Sequence, residues 1–352
     1  MKFAVVRTTC AISLLLLTFS AWAQTVTPIA SGLNGPRELK FGSDGALYVA
    51  EAGAGGPNGG FACAQVQPPV GPYRGGPTAS VSRISPDLER TTVVSGLPSG
   101  TNSLPSGDTL GAADVDFLGN NFYVLVAGGG CSHGNPEAPA GIVRANLRKG
   151  TWDYVADLSE FMKENPGPIH LPDFEPDGSL FSMVVHKGHF YAIEPNHGQI
   201  IRVNPGGHAD LFLDLSVTQG HLVPTTIVFH DGYFYVGTLD VFPIVPGSAR
   251  IYKISESGEI VSMITGLTTV TGLTFDTKGR LYALELSTAP GFPTPGTGKL
   301  VRVNGSNQIE DIVTHLVVPT GLTTGPDGAL YLSNFGAAPP GLGTILKVEL
   351  DD

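Results

Sequence analysis

FHDGYFYVGT, residues 229–238, followed by ARIYKIS, 249–255, decides the reading of this chain. A short polar turn containing Gly leads into a strand rich in aromatic residues, and after a loop a second strand carries one basic residue at its centre. Apolar and polar residues alternate with period two in both stretches, which marks strands and not helix. Working outward, the same unit recurs as FGSDGALYVAE (41–51), FLGNNFYVLV (117–126), VHKGHFYAIE (185–194), FDTKGRLYALE (275–285) and TGPDGALYLSN (324–334). Each copy is followed by its own basic-centred strand, around Arg83, Arg144, Arg202, Lys253, Arg302 and Lys347 in turn.

Repeats of roughly 40 to 50 residues built from short strands and Gly-rich turns are the signature of propeller blades, each a small sheet that buries both faces against its neighbours. Six units therefore predict an all-β chain, a six-bladed β-propeller in a single domain over 24–352. The sixth unit ends without the outer strand that the others have as IVSMITGL (260–267) or IEDIVTHL (309–316), and VTPIASGL (26–33) has that missing pattern. The N-terminal strand is expected to complete the last blade and so remove an open sheet edge.

Lys2 and Arg7 precede an apolar run from Cys10 to Phe19 that ends at Ala21-Trp22-Ala23, which reads as a cleaved secretory signal peptide over 1–23. The apolar run is too short for a bilayer span, which needs about 20 residues, so export to the periplasm or the extracellular space is expected, with no membrane insertion after cleavage. Cleavage removes two positive and no negative charges and takes the formal charge from −11 to −13. An acidic chain with its basic residues spread one per blade has no patch for nucleic acid or anionic lipid. Two cysteines remain, Cys63 and Cys131, in the long loops of neighbouring blades. An oxidising compartment favours a disulfide between them, two free buried thiols being the other reading.

In a blade running outward from the axis, the loops between second and third strands leave on the same face as the crossovers between blades. These are the long loops here, so a small molecule, glycan or protein is expected to bind on that face, over the central tunnel. Registering the innermost strands on their last residue puts Glu38 and Asp114 at one level of the tunnel, with Ser182, Thr226, Gly272 and Gly321. Glu175, and Asp173 beside it, reach toward the same opening from the crossover LPDFEPDG, making an oxygen-rich candidate site for Ca²⁺. Lys40 and Asp116, two residues deeper, read as an ion pair. Among the histidines of the long-loop face, His133, His170, His197 and His221, the last two sit beside Gly turns close to inner strands and are the candidate bases or, less favoured, Zn²⁺ ligands. Exposed or capping histidine is the competing reading. No nucleophile elbow, Cys-x-x-Cys pair, phosphate-cradling loop or calcium-loop motif is present.

EPNHGQIIRVN (194–204), QGHLVPTTIVFHDGYFYVG (219–237), FPIVPGSARIYKI (242–254) and PTGLTTGPDGALYLSNFG (319–336) resemble the ScyD/ScyE family of exported bacterial proteins, over nearly all of the mature chain. The resemblance implies a six-bladed propeller similar to NHL-repeat rings, in a family named for genes linked to production of the pigment scytonemin, and it carries over no catalytic residues. A more distant likeness to gluconolactonase-like and paraoxonase-like hydrolases implies a Ca²⁺ at the tunnel mouth. Only Glu38, Asp114 and Glu175 match such places here, and the Asn ligands of those enzymes have no counterpart. The expectation is an exported binding module, with a metal-dependent lactonase or esterase-like hydrolase or lyase as the alternative.

Overall fold

The six repeats become six antiparallel sheets in a computed structural model that describes residues 24–68, 70–102, 108–168, 174–304 and 308–351. The expected signal peptide, His170 and Asp173 lie outside the described residues. Blade four shows the plan: Pro224–His230, Tyr233–Thr238, Ala249–Ser255 and Ile260–Leu267 pair in sequence order from the axis outward. The inner strands of the other blades are Pro36–Phe41, Ala112–Leu118, Met183–His186, Val270–Phe275 and Gly321–Thr324. Blade one departs from the plan. Its third and fourth strands, Tyr73–Ile84 and Arg90–Asn102, run on past the usual length and take on a fifth strand, Thr109–Leu110, which shortens the first long loop to 52–72.

The register explains the repeat. The Tyr of every second strand lies directly across from the basic residue of the third: Tyr48 and Arg83, Tyr123 and Arg144, Tyr191 and Arg202, Tyr235 and Lys253, Tyr282 and Arg302, Tyr331 and Lys347. The flat ring supports the aliphatic stem of its partner while the charge stays in water. In blades one and six the Asp of the tight turn joins in. Asp44 accepts from the Tyr48 hydroxyl at 3.1 Å and from Arg83 at 2.8 Å, and Asp327 accepts from Tyr331 at 2.8 Å with Lys347 at 2.9 Å. Such half-exposed pairs are worth about 1 kcal/mol or less each. They set the register more than they set stability.

Stability lies in the apolar layers between blades. Tyr48 of blade one meets Phe117 of blade two edge to face at 5.4 Å, and Phe117 meets Phe122 at 5.0 Å. Leu33, Leu39, Val49, Tyr331 and Ile345 form the layer where blade six meets blade one. Among the described residues α-helix is confined to crossovers: Leu158–Glu164 and Leu215–Gln219 are capped by Asp157 and Asp214, whose side chains accept from the backbone N–H of Glu160 and Val217.

The ring closes as expected. Val26–Leu33 pairs antiparallel with Gly343–Val348, Val26 opposite Val348 and Leu33 opposite Gly343, and becomes the outer strand of blade six. The expected disulfide between Cys63 and Cys131 is formed and ties the long loops of blades one and two.

Candidate functional site

Period-two alternation aims every second side chain of an inner strand at the axis, and Glu38, Lys40, Asp114, Ser182 and Thr226 line a tunnel cavity of about 150 Å³. Glu38 and Asp114 thus share one cavity, as the register predicts. Asp114 Oδ1 accepts from the Val115 N–H at 2.6 Å, while Oδ2 accepts from the Met183 N–H at 2.7 Å and the Ser182 hydroxyl at 3.1 Å. Glu38 Oε2 accepts from the Leu322 N–H of blade six at 3.2 Å, and its Oε1 is buried with no hydrogen-bond partner. Burial and the nearby Asp114 charge push the Glu38 carboxyl well above the usual range, and burial moves Asp114 up to about 7. Two residues deeper, Lys40 and Asp116 form the ion pair read from the sequence, at 3.3 Å, and Asp116 also accepts from the Val185 N–H at 3.0 Å.

These groups belong to a chain of staples around the axis. Lys40 joins blade one to two, Asp114 joins two to three, and Ser182 accepts from the Ile227 N–H to join three to four, at 3.4 Å. Thr225 donates to the Val270 carbonyl at 2.5 Å, Thr271 to Pro319 at 3.0 Å, and Thr320 to Pro36 at 2.6 Å, completing the circle. Sequence reasoning missed the three threonines, although each directly precedes the tunnel-level residue in TTIVF, VTGLTF and PTGLTT.

Glu175 is engaged elsewhere. Its Oε2 stands 3.2 Å from His133 Nε2, and its Oε1 is 3.4 Å from the Tyr73 hydroxyl, which lies 3.0 Å from Asp108. His133 Nδ1 pairs with the Gly129 carbonyl at 2.6 Å. Burial lowers the affinity of His133 for its proton, but Glu175 and the Gly129 carbonyl outweigh it and raise the imidazole above its ordinary value. Burial likewise raises Glu175 against the pull of His133. The pair therefore keeps a proton between its members to higher pH than either group would alone. Cys131–His133 is a single 3-10 turn, so the disulfide fixes this histidine directly. The sequence signal for it was there, a His two residues from a bridged Cys.

His197 is buried, stacked on Phe174 at 4.8 Å, with Nε2 3.1 Å from the Glu175 carbonyl oxygen. His221 is half-buried in the next crossover. The structure thus unites Glu38 with Asp114, sets Glu175 with His133, and bonds His197 to the backbone of Glu175. Among the described residues no group of three or more His, Cys, Asp or Glu side chains is placed to hold a metal ion. Both Asp114 oxygens are committed to N–H and hydroxyl donors, which leaves Glu38 Oε1 as the one open carboxylate oxygen of the expected trio's tunnel members. That donor set is far short of the six to eight oxygens of a Ca²⁺ cage, and no metal-dependent step is derived from it.

The long-loop face has another character. The loops 239–248, 286–297 and 335–342 of blades four, five and six contain Asp240 as their only charged residue. Phe292 and Val245 are 72% and 60% exposed, and Phe242, 45% exposed, stacks on Phe292 with ring centroids 6.0 Å apart. A two-way backbone bridge holds the first two loops together, Ile244 N–H to the Gly291 oxygen at 2.6 Å and Gly291 N–H to the Ile244 oxygen at 3.0 Å. On the opposite face Asp276, Lys278, Arg280 and Asp327 of the tight turns and Lys347 of the last strand surround an open groove of about 320 Å³. Around blades five and six, charge gathers on this side of the disc.

No family model matches the chain, and no curated protein does. Solved structures match it through most of its length. A structural genomics protein of unknown function from Bacteroides thetaiotaomicron is 13% identical with a TM-score of 0.57, over 94% of this chain and 76% of that one. A glucose dehydrogenase is 13% identical with a TM-score of 0.55, over 93% and 100%. A streptogramin B lyase is 13% identical with a TM-score of 0.50, over 93% and 98%. At such identities the likeness is one of fold, and the chain is a six-bladed β-propeller similar in architecture to proteins of quite different chemistry.

Proposed function

We propose that this chain is an exported binding propeller that engages its ligand, a small molecule, glycan or protein, through the long-loop face. The observation carrying this reading is the exposed apolar set on the loops of blades four to six, which a monomer in water has no reason to display. The titratable groups of the tunnel and of the His133 cluster have work of their own, joining blades and holding loops. Apart from the open Glu38 Oε1, the carboxylate oxygens of Glu38, Asp114 and Glu175 are engaged by protein groups, which speaks against a catalytic set waiting for substrate. The disulfide supports an oxidising compartment, and the resemblance to the ScyD/ScyE family supports export. A ligand screen by thermal shift tests the reading. A ligand lost on Phe242→Asp with Phe292→Asp supports it. Turnover of an identified substrate, abolished by replacing Glu38, Asp114, His197 and His221 together, overturns it.

A metal-dependent hydrolase is the second reading, and the open Glu38 Oε1 in the tunnel is the observation on its side. Elemental analysis of protein purified without chelator, with Glu38→Gln alongside, decides it. Stoichiometric Ca²⁺ or Zn²⁺ lost in the variant favours it, and no metal with no thermal shift on adding either ion ends it.

A further inference from the structure

The tunnel carries charge at two levels and balances it at only one. At the deeper level the Lys40 ammonium stands 3.3 Å from Asp116, so cation and carboxylate answer each other. One level up, Glu38 and Asp114 bring two carboxyl groups to the cavity and no cation. The other blades supply none there, since Ser182 and Thr226 are neutral and Gly272 and Gly321 have no side chain. Glu38 and Asp114 are only 7% and 6% exposed, so solvent screens them little. Glu38 meets the lack in part by keeping a proton: burial and the Asp114 charge hold its carboxyl well above the usual range.

The oxygens show what kind of positive group fits. Asp114 already accepts from the N–H groups of Val115 and Met183 and from the Ser182 hydroxyl, whereas Glu38 accepts from the Leu322 N–H alone, through Oε2. Glu38 Oε1 is buried with no hydrogen-bond partner, and Glu38 lines the cavity of about 150 Å³. A carboxylate oxygen accepts, so the group it lacks is a donor. Ca²⁺ would need about six to eight oxygens, far more than this level offers. An ammonium needs a few acceptors, of the kind that one carboxylate oxygen and the Thr226 hydroxyl beside the same cavity provide. Water brings no charge, and an anion is repelled by both carboxyl groups. Lys40 shows that an ammonium is accommodated in this tunnel. The cavity is about ten times the ~15 Å³ that one water requires, room for a molecule of a few heavy atoms. It is reached past Lys40, whose side chain is 43% exposed.

We infer that the tunnel binds a small primary ammonium cation, R–NH₃⁺ with R of a few heavy atoms, whose N–H donates to Glu38 Oε1 while its charge offsets Glu38 and Asp114. The ammonium keeps its own protons on binding, and the proton that Glu38 held passes to water. The site lies inside the ring, apart from the long-loop face, and does not depend on what that face binds.

The test is isothermal titration of the full mature protein, stripped of metal by chelator, with methylammonium chloride at mildly alkaline pH and constant ionic strength. One methylammonium per chain is expected to bind, and Glu38→Gln, which keeps the shape and removes the charge, to weaken it about tenfold or more. Tetramethylammonium, a cation without N–H groups, is expected not to bind. That comparison needs wild type alone and stands even where the variant fails to fold. No saturable binding, equal binding of tetramethylammonium or sodium, or unchanged affinity in a Glu38→Gln protein that melts like wild type each overturns the inference. Ca²⁺ binding that depends on Glu38, without methylammonium binding, overturns it too and leaves the metal-dependent reading standing. Methylammonium binding that Ca²⁺ does not displace supports the inference and counts against that reading.

Discussion

Asp114 accepts the backbone N–H of Met183 at 2.7 Å, so a carboxylate from blade two holds the first residue of blade three's inner strand. Replacing it with Ala leaves the N–H of Met183 and the hydroxyl of Ser182 buried without an acceptor. Each such orphan costs about 1–3 kcal/mol. Asp114→Ala is expected to lose roughly 2–4 kcal/mol in urea unfolding, while Ser182→Ala, which removes one of the donors to Asp114 and the long 3.4 Å acceptor of the Ile227 N–H, loses less.

The tunnel carboxyls make stability fall with rising pH. Glu38 and Asp114 titrate higher in the folded ring than in the unfolded chain, so the ring holds extra protons. Their contribution is complete below the unfolded values, near pH 4, and is lost as pH rises through the folded values, about 7 for Asp114. His133, raised by its carboxylate partner, pushes the same way. The melting temperature is expected to drop between pH 5 and pH 8, and Glu38→Gln, which removes one of two facing charges, to flatten the slope. A slope unchanged in Glu38→Gln would show that Glu38 does not titrate higher in the folded ring than in the unfolded chain.

Opening the Cys63–Cys131 bridge releases a loop of 68 residues, a change of about 4 kcal/mol in the chain-entropy account. Cys63→Ala with Cys131→Ala is expected to unfold at lower denaturant and to expose His133 to chemical modification, which proton–deuterium exchange over 129–135 will also report. Protection equal to wild type would mean that packing, not the bridge, positions this turn.

Deleting residues 24–33 removes the outer strand of blade six and uncovers the edge of Gly343–Val348. The truncated chain is expected to aggregate or melt at least about 10 °C lower, since a whole layer around Leu33 goes with it. A soluble monomer with the wild-type melting point would show that the ring does not depend on this strand.

Much of this was legible because propeller blades are local. Strand, turn and strand lie within a few dozen residues, so the period-two pattern fixes which side chains face the axis, and Glu38, Asp114, Lys40 and Asp116 fall where the register puts them. Closure by Val26–Leu33 was readable because one blade lacked a strand and one stretch supplied its pattern. What stayed hidden is set by the paths of long loops. Nothing in the spacing of Tyr73, Asp108, His133 and Glu175 shows that four segments meet. The grouping of Glu175 with Glu38 and Asp114 followed their level on the ring and could not foresee a closer histidine. A repeated second-strand Glu also passed unnoticed, although Glu51, Glu194 and Glu285 each accept backbone N–H groups of the crossovers, from Asn34, Ser179 and Thr268 respectively.

The first and last strands of the described ring are sheet partners. Val26–Leu33 has its sheet partner in Gly343–Val348, so the ring stays open until that strand exists. A chain of this kind must finish emerging before it can become a ring, and the interval in between is the time in which its two ends are open to capture by a neighbouring chain.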